Sequence, residues 1–577
     1  MKLKNERFMV ARNKFPLMII LAGILFSLYL QFQIKDETFF SGDGSLKFLL
    51  AKQFSSGEFR FDINLPGAAW VYDLWKDGLY PLGNKEPFIY YRFNRYYSPF
   101  PFTFSLITAP FYALFGFKGL NIIPLISLWA IWFRFYVVCQ RLNLKTAITT
   151  LALATLIFSS PLTIYGATYW EHTLAVALAF YGLTIILTPR SGELSKGEAI
   201  FSGILLGLSV WFRGEFLCLI GIMCLSVLAS SKLNFTFDFV LLLSGLIIGL
   251  FVLSREEFLW FIGIGCLLAY ALGKINFVFK NKLFFLSSML LTLSLYWLIN
   301  IIIYHHPLGI HALQVVEHLS LRSRLSDAFK YFKHMNSELF YYFPILLFSI
   351  FYILISLFNK KLKLTPKMNF LFLIYALLTF FVPLLLPSDG GRQWGPRFLL
   401  MIIPIISLLS ILMLQMSMRV KLIRTRYILS GIFALLFAIG LYINTQLGTS
   451  YLIKSYQRSD VLMFLQKTPD KIVAVTHEFV SQSLASILNQ KIFFLAKKND
   501  DLIKLGTALN AQGYQKFIYI CHPYHPCYSS KEGLDNLGFS IDGKNFNIEF
   551  SKMTEFDKPL IYEALIVNSS PTSDGSL

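Results

Sequence analysis

Residues 15–45 read FPLMIILAGILFSLYLQFQIKDETFFSGDGS, a long apolar segment followed by a short polar turn. The segment from Phe15 to Phe32 is long enough to cross a hydrocarbon core of about 30 Å as a helix. No small-x-small cleavage site follows it, so we interpret it as a retained first span. Basic residues precede it, which places the N-terminus in the cytoplasm. Asp43, in the turn after the span, is therefore expected at the outer membrane surface.

The composition of the whole chain is that of a membrane protein. Of its 577 residues, 55% are hydrophobic and only 15% are charged, and the mean hydropathy is +0.57. Soluble domains are less apolar than this. Unpaired backbone groups are not tolerated in lipid, so the apolar segments are expected to be helices. We therefore predict an all-α polytopic membrane protein with about 13 transmembrane helices, followed by a C-terminal extracytoplasmic α/β domain.

The net charge of +19 indicates membrane topology and not nucleic-acid binding. The basic residues fall mainly in short gaps between alternate apolar segments, not on one face of a domain. Basic gaps such as 190–196 and 360–367 are assigned to the cytoplasm, and gaps 166–172, 213–215 and 388–397 to the outside. The outward gaps hold nearly every residue that could do chemistry.

The sequence divides into three predicted parts. Residues 1–444 form a membrane domain, in which residues 34–100 are the first outer loop with its juxtamembrane helices. Residues 445–565 have an ordinary soluble composition and are predicted to form a separate extracytoplasmic α/β domain. Residues 566–577 are rich in Ser, Thr, Pro, Gly and Asp, which is typical of a disordered tail.

The predicted C-terminal domain alternates between strand and helix patterns. These predict a βαβαβ unit with a parallel sheet, and Asp542-Gly543 predicts a hairpin turn beyond it. Cys521 and Cys527 fit a disulfide, a free pair or a metal site, and the disulfide is favoured because their spacing fits no common zinc pattern. The alternating segments are 471–476, 478–490, 491–496, 500–512 and 515–521.

Asp43 directly precedes an amphipathic helical run that Gly57 is expected to stop. An aspartate here can cap the helix by accepting hydrogen bonds from its first free amides. A carboxylate held rigidly at the membrane surface can also take a proton from an approaching acceptor. The two roles are compatible, and the local sequence does not choose between them.

Glu171 and His172 lie in an outer turn with no basic residue beside them in the sequence. An acid at that depth is costly unless it is used or paired. The alternative is an exposed turn in which Trp170 anchors the helix end and Glu171 points to water. Arg213 and Glu215, in another outer gap, form either an internal ion pair or part of the same site.

Residues 388–397, SDGGRQWGPR, form the most unusual outer gap, with three glycines and two arginines before an apolar segment. Pro396 suits the first turn of the next helix, so Arg397 would stand at a helix N-terminus that favours anions. With Arg392 it would make a phosphate site, and the alternative is an arginine that snorkels to the headgroups. His306 belongs to a loose histidine cluster, which fits a solvated loop, a contact with an anionic ligand or a metal site.

Together these motifs resemble the GT-C glycosyltransferases, membrane enzymes that transfer a sugar from a polyprenyl-phosphate carrier, such as protein O-mannosyltransferases and the aminoarabinose transferase that acts on lipid A. The family's acid after the first span corresponds to Asp43, and its second acid, at the outer end of the third span, to Glu171. Residues 306–309 are similar to the family's Gly-x-Pro-Leu stretch, and residues 391–400 to its Gly-x-Arg-Tyr-Leu-Leu-Pro segment. Many relatives have Asp-Glu where this chain has Asp43-Gly44, and Asp where it has Glu171.

The resemblance implies transfer of a sugar to an extracytoplasmic lipid, polysaccharide or protein, with inversion at the anomeric carbon. It makes Asp43 the general base, with Glu171 and His172 beside it, and makes Arg397 and Arg392 the ligands of the donor phosphate. No protein metal site is assigned, although the resemblance leaves room for Mg²⁺ or Mn²⁺. Further substrate contacts are expected from His306, Trp394, Tyr96, Tyr97, Arg213 and Glu215.

The expected location is the cell (inner) membrane, with the active site and C-terminal domain outside the cytoplasm. A polytopic transporter or a flippase of lipid-linked sugars also has many helices and buried charges. Transporters usually show internal repeats and charges near the bilayer midplane, whereas the unusual charges here cluster in outer gaps. An enzyme confined to the C-terminal domain is disfavoured, because that domain has no glycine-rich phosphate loop.

Overall fold

The computed structural model describes residues 14–83, 88–229, 281–310, 321–358, 362, 364–386, 388, 390–391, 393–419, 423–522, 537–541, 544–553 and 560–568. The chain forms two compact units. The helical unit consists of Met1–Gln33 and Leu120–Lys454, and the sheet unit of Ile34–Gly119 and Ser455–Leu577. The sequence predicts the boundary between the two domains after residue 444. In the structure, the first outer loop instead groups with the C-terminal residues.

Helices account for most of the described residues. In chain order they are α1 Lys14–Gln33, α2 Gly42–Ser55, α3 Ala69–Leu74, α4 Phe102–Phe115, α5 Phe117–Leu120, α6 Ile122–Arg141, α7 Thr146–Phe158, α8 Leu162–Gly166, α9 His172–Leu187, α10 Lys196–Phe212, α11 Phe216–Ala229, α12 Lys282–Tyr304, α13 Leu321–Tyr342, α14 Ile345–Phe358, α15 Pro366–Leu385, α16 Ile402–Ser417, α17 Ile423–Tyr442, α18 Gly448–Ser455, α19 Asp460–Lys467, α20 Glu478–Ser483 and α21 Asn499–Ala511. Short 3₁₀ turns cover Arg397–Leu399 and Ala485–Ile487, and π turns cover Trp75–Leu79 and Ile443–Leu447.

Several of these helices are long and apolar enough to cross a membrane. Within the described ranges there are 5 such helices, or up to 6 if the pair Asp327–Tyr342 and Ile345–Ser356, bent by 99°, is one span. The predicted number of about 13 spans therefore stays a prediction. The five are Lys14–Gln33, Phe117–Arg141, Lys282–Tyr304, Pro366–Leu385 and Ile423–Lys467.

Small residues allow close helix packing in the helical unit. Helix α10 begins with a capping box between Ser195 and Glu198. A Cβ on Gly203, farther along α10, would overlap the backbone oxygen of Phe285 in α12, and one on Gly207 would lie 2.7 Å from Cβ of Thr292. Glycines four residues apart on one helix let two backbones approach, which is typical of helix pairs in membranes.

The strands form one hairpin and one larger sheet. The strands are β1 Tyr90–Arg92, β2 Arg95–Tyr97, β3 Ile472–Val475, β4 Ile492–Leu495, β5 Lys516–Ile520, β6 Leu537–Ile541, β7 Lys544–Lys552 and β8 Ile561–Asn568. The order in the larger sheet is β4-β3-β5-β8-β7-β6. Strands β3, β4 and β5 are parallel, and the others pair antiparallel.

The sheet confirms the βαβαβ unit and the following hairpin predicted from the sequence. The disordered tail was predicted to start at residue 566, but β8 continues to Asn568 because it pairs with β7 to its end. Residues 569–577 lie outside the described ranges. Cys521 is disulfide-bonded, and its predicted partner Cys527 also lies outside them.

The first outer loop packs against the sheet within the sheet unit. The indole N–H of Trp75 donates a hydrogen bond to the Phe493 oxygen in β4 at 3.0 Å, and the ring of Trp70 stacks on Phe494. Helix α4 has 14 residues, or roughly 21 Å at 1.5 Å per residue, so it is shorter than the hydrocarbon core. The loop aromatics thus form a folded core together with the C-terminal strands.

Candidate active site

Asp43 lies inside the first turn of helix α2 and does not precede the helix as predicted. The helix begins at Gly42, and Ser41 occupies the N-cap position with an extended backbone, φ −155° and ψ 171°. The N-cap interpretation of Asp43 is therefore wrong. Gly57 has φ 85° just after the helix, as expected of the residue that stops it. The Asp43 carboxylate, partly exposed, lies where the helix dipole and free amides favour negative charge.

Helix α2 is held in place along its buried face. Lys47, one turn after Asp43, is only 2% exposed, and its ammonium lies 4.4 Å from the ring centroid of Phe100. The Ser105 hydroxyl of α4 donates to the Lys47 backbone oxygen at 2.9 Å. The sequence analysis missed Lys47, although an acid and a base four residues apart share one face of a helix.

Glu171 is buried in the helical unit, which overturns the exposed-turn interpretation. It stands at the N-cap position of α9 and is 0% exposed. The Arg213 guanidinium donates to its Oε1 at 2.9 Å. A buried carboxylate is costly unless it is paired and hydrogen-bonded, so Arg213 is what makes this burial tolerable.

Arg213 and Glu215 form the internal ion pair expected from the sequence. Nε of Arg213 donates to both carboxylate oxygens of Glu215, at 2.8 and 3.0 Å. Arg213 therefore bridges two carboxylates, with Glu171 on one side and Glu215 on the other. The bridge to Glu171 was missed, because 42 residues separate the two partners and no local pattern relates them.

Aromatic rings surround this charged cluster. The guanidinium of Arg213 lies 5.1 Å from the ring centroid of Phe398. The buried ring of His172 lies 5.4 Å from the ring of Trp170 and 6.4 Å from Phe398. Cations above such rings gain electrostatic attraction from the ring face.

Arg397 lies beside the same rings, but in a different element from the one predicted. It begins the 3₁₀ turn Arg397–Leu399, whereas the long helix α16 starts later, at Ile402. The prediction that Arg397 stands at the N-terminus of this span is therefore wrong. Its guanidinium is 4.9 Å from the ring centroid of Phe398 and 5.2 Å from Trp170. The turn thus places Arg397 and Arg213 at the same phenyl ring.

A small pocket opens next to the cluster. Its empty volume is about 240 Å³, and Glu215 is the charged residue in its lining. The remaining lining is apolar and comes from helices α11, α15 and α16 and the 3₁₀ turn, including Leu219, Val382 and Phe398. The pocket is therefore apolar apart from the carboxylate of Glu215.

Two more predicted contact residues lie elsewhere in the helical unit. His306 lies in the turn after α12, where its Nδ1 accepts a hydrogen bond from the Leu308 amide at 3.3 Å. Trp394 donates to the Asn444 side chain at 3.2 Å, and its ring packs against Tyr342. Both side chains have local structural contacts, and their predicted substrate contacts stay predictions.

Tyr96 and Tyr97 belong to the hairpin of the sheet unit. The Tyr96 ring stacks on Tyr80 at 3.6 Å, and its hydroxyl donates to the Trp75 oxygen at 2.9 Å. Burial raises the pKa of the Tyr96 hydroxyl, with a smaller contribution from Tyr91. Tyr97 is buried. These contacts hold the hairpin to the π turn that follows α3.

The described residues contain no group of three or more His, Cys, Asp or Glu side chains that could hold a metal ion. Arg392, which was predicted to bind phosphate with Arg397, lies outside the described ranges. The structure therefore brings together Glu171, His172, Arg213, Glu215 and Arg397 in the helical unit, and it places Asp43 in the sheet unit.

No family model and no curated protein matches the sequence. Among solved structures, ArnT from Cupriavidus metallidurans bound to undecaprenyl phosphate is 11% identical and has a TM-score of 0.48, with 94% of this chain and 97% of that chain covered. The same protein in the apo state has the same identity and coverage and a TM-score of 0.46.

The archaeal oligosaccharyltransferase AglB from Archaeoglobus fulgidus, in complex with an inhibitory peptide and a dolichol-phosphate, is also similar. It is 14% identical and has a TM-score of 0.46, with 88% of this chain and 69% of that chain covered. ArnT and AglB are GT-C enzymes, the group that the sequence motifs resemble. None of these TM-scores reaches one half, and the likenesses establish no substrate for this chain.

Proposed function

We propose that this chain is a membrane glycosyltransferase that moves a sugar from a polyprenyl-phosphate carrier to an extracytoplasmic acceptor, by displacement with inversion. The observation that carries the proposal is the buried cluster of Glu171, Arg213 and Glu215 beside Arg397. Charges within a bundle of apolar helices are expensive and mark functional sites by default. The Arg397 guanidinium, which lies beside the rings of Phe398 and Trp170, suits a ligand that combines a phosphate with an apolar group.

The reaction needs one base and one leaving-group site. Asp43 takes the proton of the acceptor hydroxyl as the acceptor oxygen forms a bond to the anomeric carbon. The bond between that carbon and the phosphate oxygen breaks, and its electron pair leaves with the polyprenyl phosphate. Asp43 then returns the proton to water. No other reactant is required.

Arg397, with Arg392, stabilises the charge that grows on the leaving phosphate, because guanidinium groups bind phosphate oxygens in pairs. Arg213 fixes the position of Glu171, since its guanidinium contacts that carboxylate at 2.9 Å. We assign Glu171 and His172 to holding the acceptor, and Asp43 to proton removal.

The test is a matched pair of aspartate substitutions in the sheet unit. Asp43→Asn removes the proposed base, and Asp73→Asn changes an exposed aspartate of α3. Each variant is expressed in a strain that lacks the protein, and the glycans on envelope lipids, polysaccharides and exported proteins are compared by mass spectrometry. We expect the sugar lost on deletion to return with Asp73→Asn, and to return at a level about 10²–10⁴-fold lower with Asp43→Asn.

Protein level and membrane insertion are measured in parallel by immunoblotting of isolated membranes, and both variants are expected to match the wild type. A full return of the sugar with Asp43→Asn would remove Asp43 as the base. If deletion changes no glycan and instead blocks movement of a lipid-linked sugar across the membrane, the flippase alternative replaces the proposed transferase.

A further inference from the structure

The N-terminus of helix α2 meets helix α20 of the C-terminal sheet region within the sheet unit. A Cβ built on Gly42, the first residue of α2, would overlap Oε1 of Gln482 in α20. The Gln482 side chain therefore lies directly against the turn that carries Asp43. Glycine at position 42 is what allows this approach.

Gln482 is a buried polar side chain whose amide makes no hydrogen bond to the residues that the structure describes. It is 0% exposed, and neither its Nε2 nor its Oε1 has a hydrogen-bond partner among the described residues. Leaving a buried polar group unsatisfied costs about 1–3 kcal/mol for each group. A buried polar group without a partner calls for an explanation, and a bound ligand or an ordered water would supply the missing hydrogen bonds.

Three serine hydroxyl groups in or beside helices α2 and α20 also make no hydrogen bond to the described residues. The Ser41 hydroxyl, at the N-cap position, makes no side-chain cap hydrogen bond. Within the described part of the chain, Ser41 Oγ, Ser481 Oγ and Ser486 Oγ are buried without a partner. Ser481 lies in α20 and Ser486 in the 3₁₀ turn after it, and both elements pack on α2.

These groups share one chemical character. A carboxamide and hydroxyls are neutral, and each can both donate and accept a hydrogen bond. A phosphate would be matched better by guanidinium or ammonium groups. Adjacent sugar hydroxyls, which also donate and accept, are the complementary ligand.

We propose that Gln482 is a specificity-determining residue that binds a hydroxyl of a saccharide acceptor, next to the hydroxyl that Asp43 deprotonates. This inference rests on the proposed transferase function and names its acceptor class. The C-terminal region then contributes to the active site through α20, and we expect a saccharide and not a peptide as the main acceptor.

The decisive variant is Gln482→Met, which keeps the length of the side chain but removes its amide. The expected result has two parts. We expect the amount of glycan product in the deletion strain, measured by mass spectrometry, to fall at least about tenfold. The reason is that losing one hydrogen bond to the acceptor weakens binding by about 1.5 kcal/mol or more. The melting temperature of the purified full-length protein without substrate stays equal or rises, because an unsatisfied buried amide has been removed.

If Gln482 has only a structural role, Gln482→Met should lower the melting temperature. That result would overturn the inference. Wild-type product levels with Gln482→Met would overturn it as well. Gln490→Met, at an exposed position of the same region, is the matched control and is expected to change neither quantity.

Gly42→Ala provides a second route, because the added Cβ pushes the Gln482 amide away without altering Gln482 itself. We expect a similar fall in product. Mass spectrometry of the product also identifies the acceptor: a sugar attached to a glycan supports the inference, and a sugar attached to a peptide side chain contradicts it. If Asp43→Asn abolishes transfer while Gln482→Met does not, the transferase function stands and only this inference fails.

Discussion

The two acids that the sequence placed in outer gaps have opposite surroundings. Glu171 is completely buried and bound by Arg213, which also holds Glu215. Asp43 is partly exposed in the first turn of α2, where backbone amides and the helix dipole favour its charge. A carboxylate held by a buried arginine is a poor proton acceptor, because the neighbouring positive charge favours its ionised form. In the proposed transferase we therefore give Glu171 a positioning role and keep Asp43 as the proposed base.

The supports of the two acids differ as well. The buried charge of Glu171 is compensated by opposite charge at another helix end of the helical unit. The position of Asp43 is set by helix α2, which packs within the sheet unit. Removing the arginine that pairs with Glu171 should therefore cost folding stability, whereas removing the Asp43 carboxylate should cost activity at unchanged stability.

The largest expected effect on stability comes from Arg213→Met. Removing the guanidinium leaves Glu171 and Glu215 buried without their bridge, and breaking a buried pair in this way typically costs about 3–5 kcal/mol. We expect a clearly lower melting temperature in detergent, measured by intrinsic tryptophan fluorescence, whereas Asp43→Asn should melt like the wild type. Arg419→Met, at an exposed position of the same unit, is the control. An unchanged melting temperature for Arg213→Met would contradict the compensation argument.

A smaller effect is expected from Trp75→Phe in the sheet unit. The substitution removes the buried hydrogen bond to the Phe493 oxygen, at a cost of about 1–3 kcal/mol. Hydrogen exchange, followed by mass spectrometry, should become faster both in α2 and in strands β3 and β4 if the first loop and the C-terminal sheet form one folded unit. Trp70→Phe keeps a stacking ring against Phe494 and should have less effect. Faster exchange confined to residues 69–80 would show that the loop folds independently.

The smallest expected effect depends on pH and concerns Glu478, the first residue of the helix that meets α2. Burial raises the pKa of Glu478, but the hydrogen bond from Lys497 and the backbone outweigh burial, and the pKa lies below its ordinary value of 4.5. A lowered carboxylate pKa adds stability above pH 4.5, and this is lost as the pH falls through the folded-state pKa.

Glu478→Gln should therefore lower the melting temperature slightly at pH 7 and not at about pH 3, with a contribution below about 1 kcal/mol because Lys497 is half exposed. Melting curves of both proteins at several pH values measure the difference. Glu549→Gln, at an exposed position of β7, should leave the melting temperature unchanged throughout. A difference that persists in acid would rule out the ion pair as its cause.

Patterns of local periodicity were sufficient for much of the fold. The apolar segments within the described ranges are helices, and the alternating runs after residue 470 form the parallel strands β3, β4 and β5. The Arg213–Glu215 pair was also predicted, because its partners are two residues apart. Element boundaries were less certain: α2 begins at Gly42, before Asp43, and Arg397 lies in a 3₁₀ turn. A shift of one or two residues at a helix start is enough to change the role of a side chain.

The sequence by itself determined the membrane character, the helical and strand segments, and the set of acids and arginines from which a site could be built. It could do so because hydropathy and periodicity are properties of short stretches of sequence. Only the tertiary structure decided which of them meet. It joined Arg213 to Glu171, grouped the first outer loop with the C-terminal sheet and placed Gln482 against the turn of Asp43. Contacts between distant residues depend on how whole elements pack to bury apolar surface and satisfy buried charges, and no short sequence pattern encodes that.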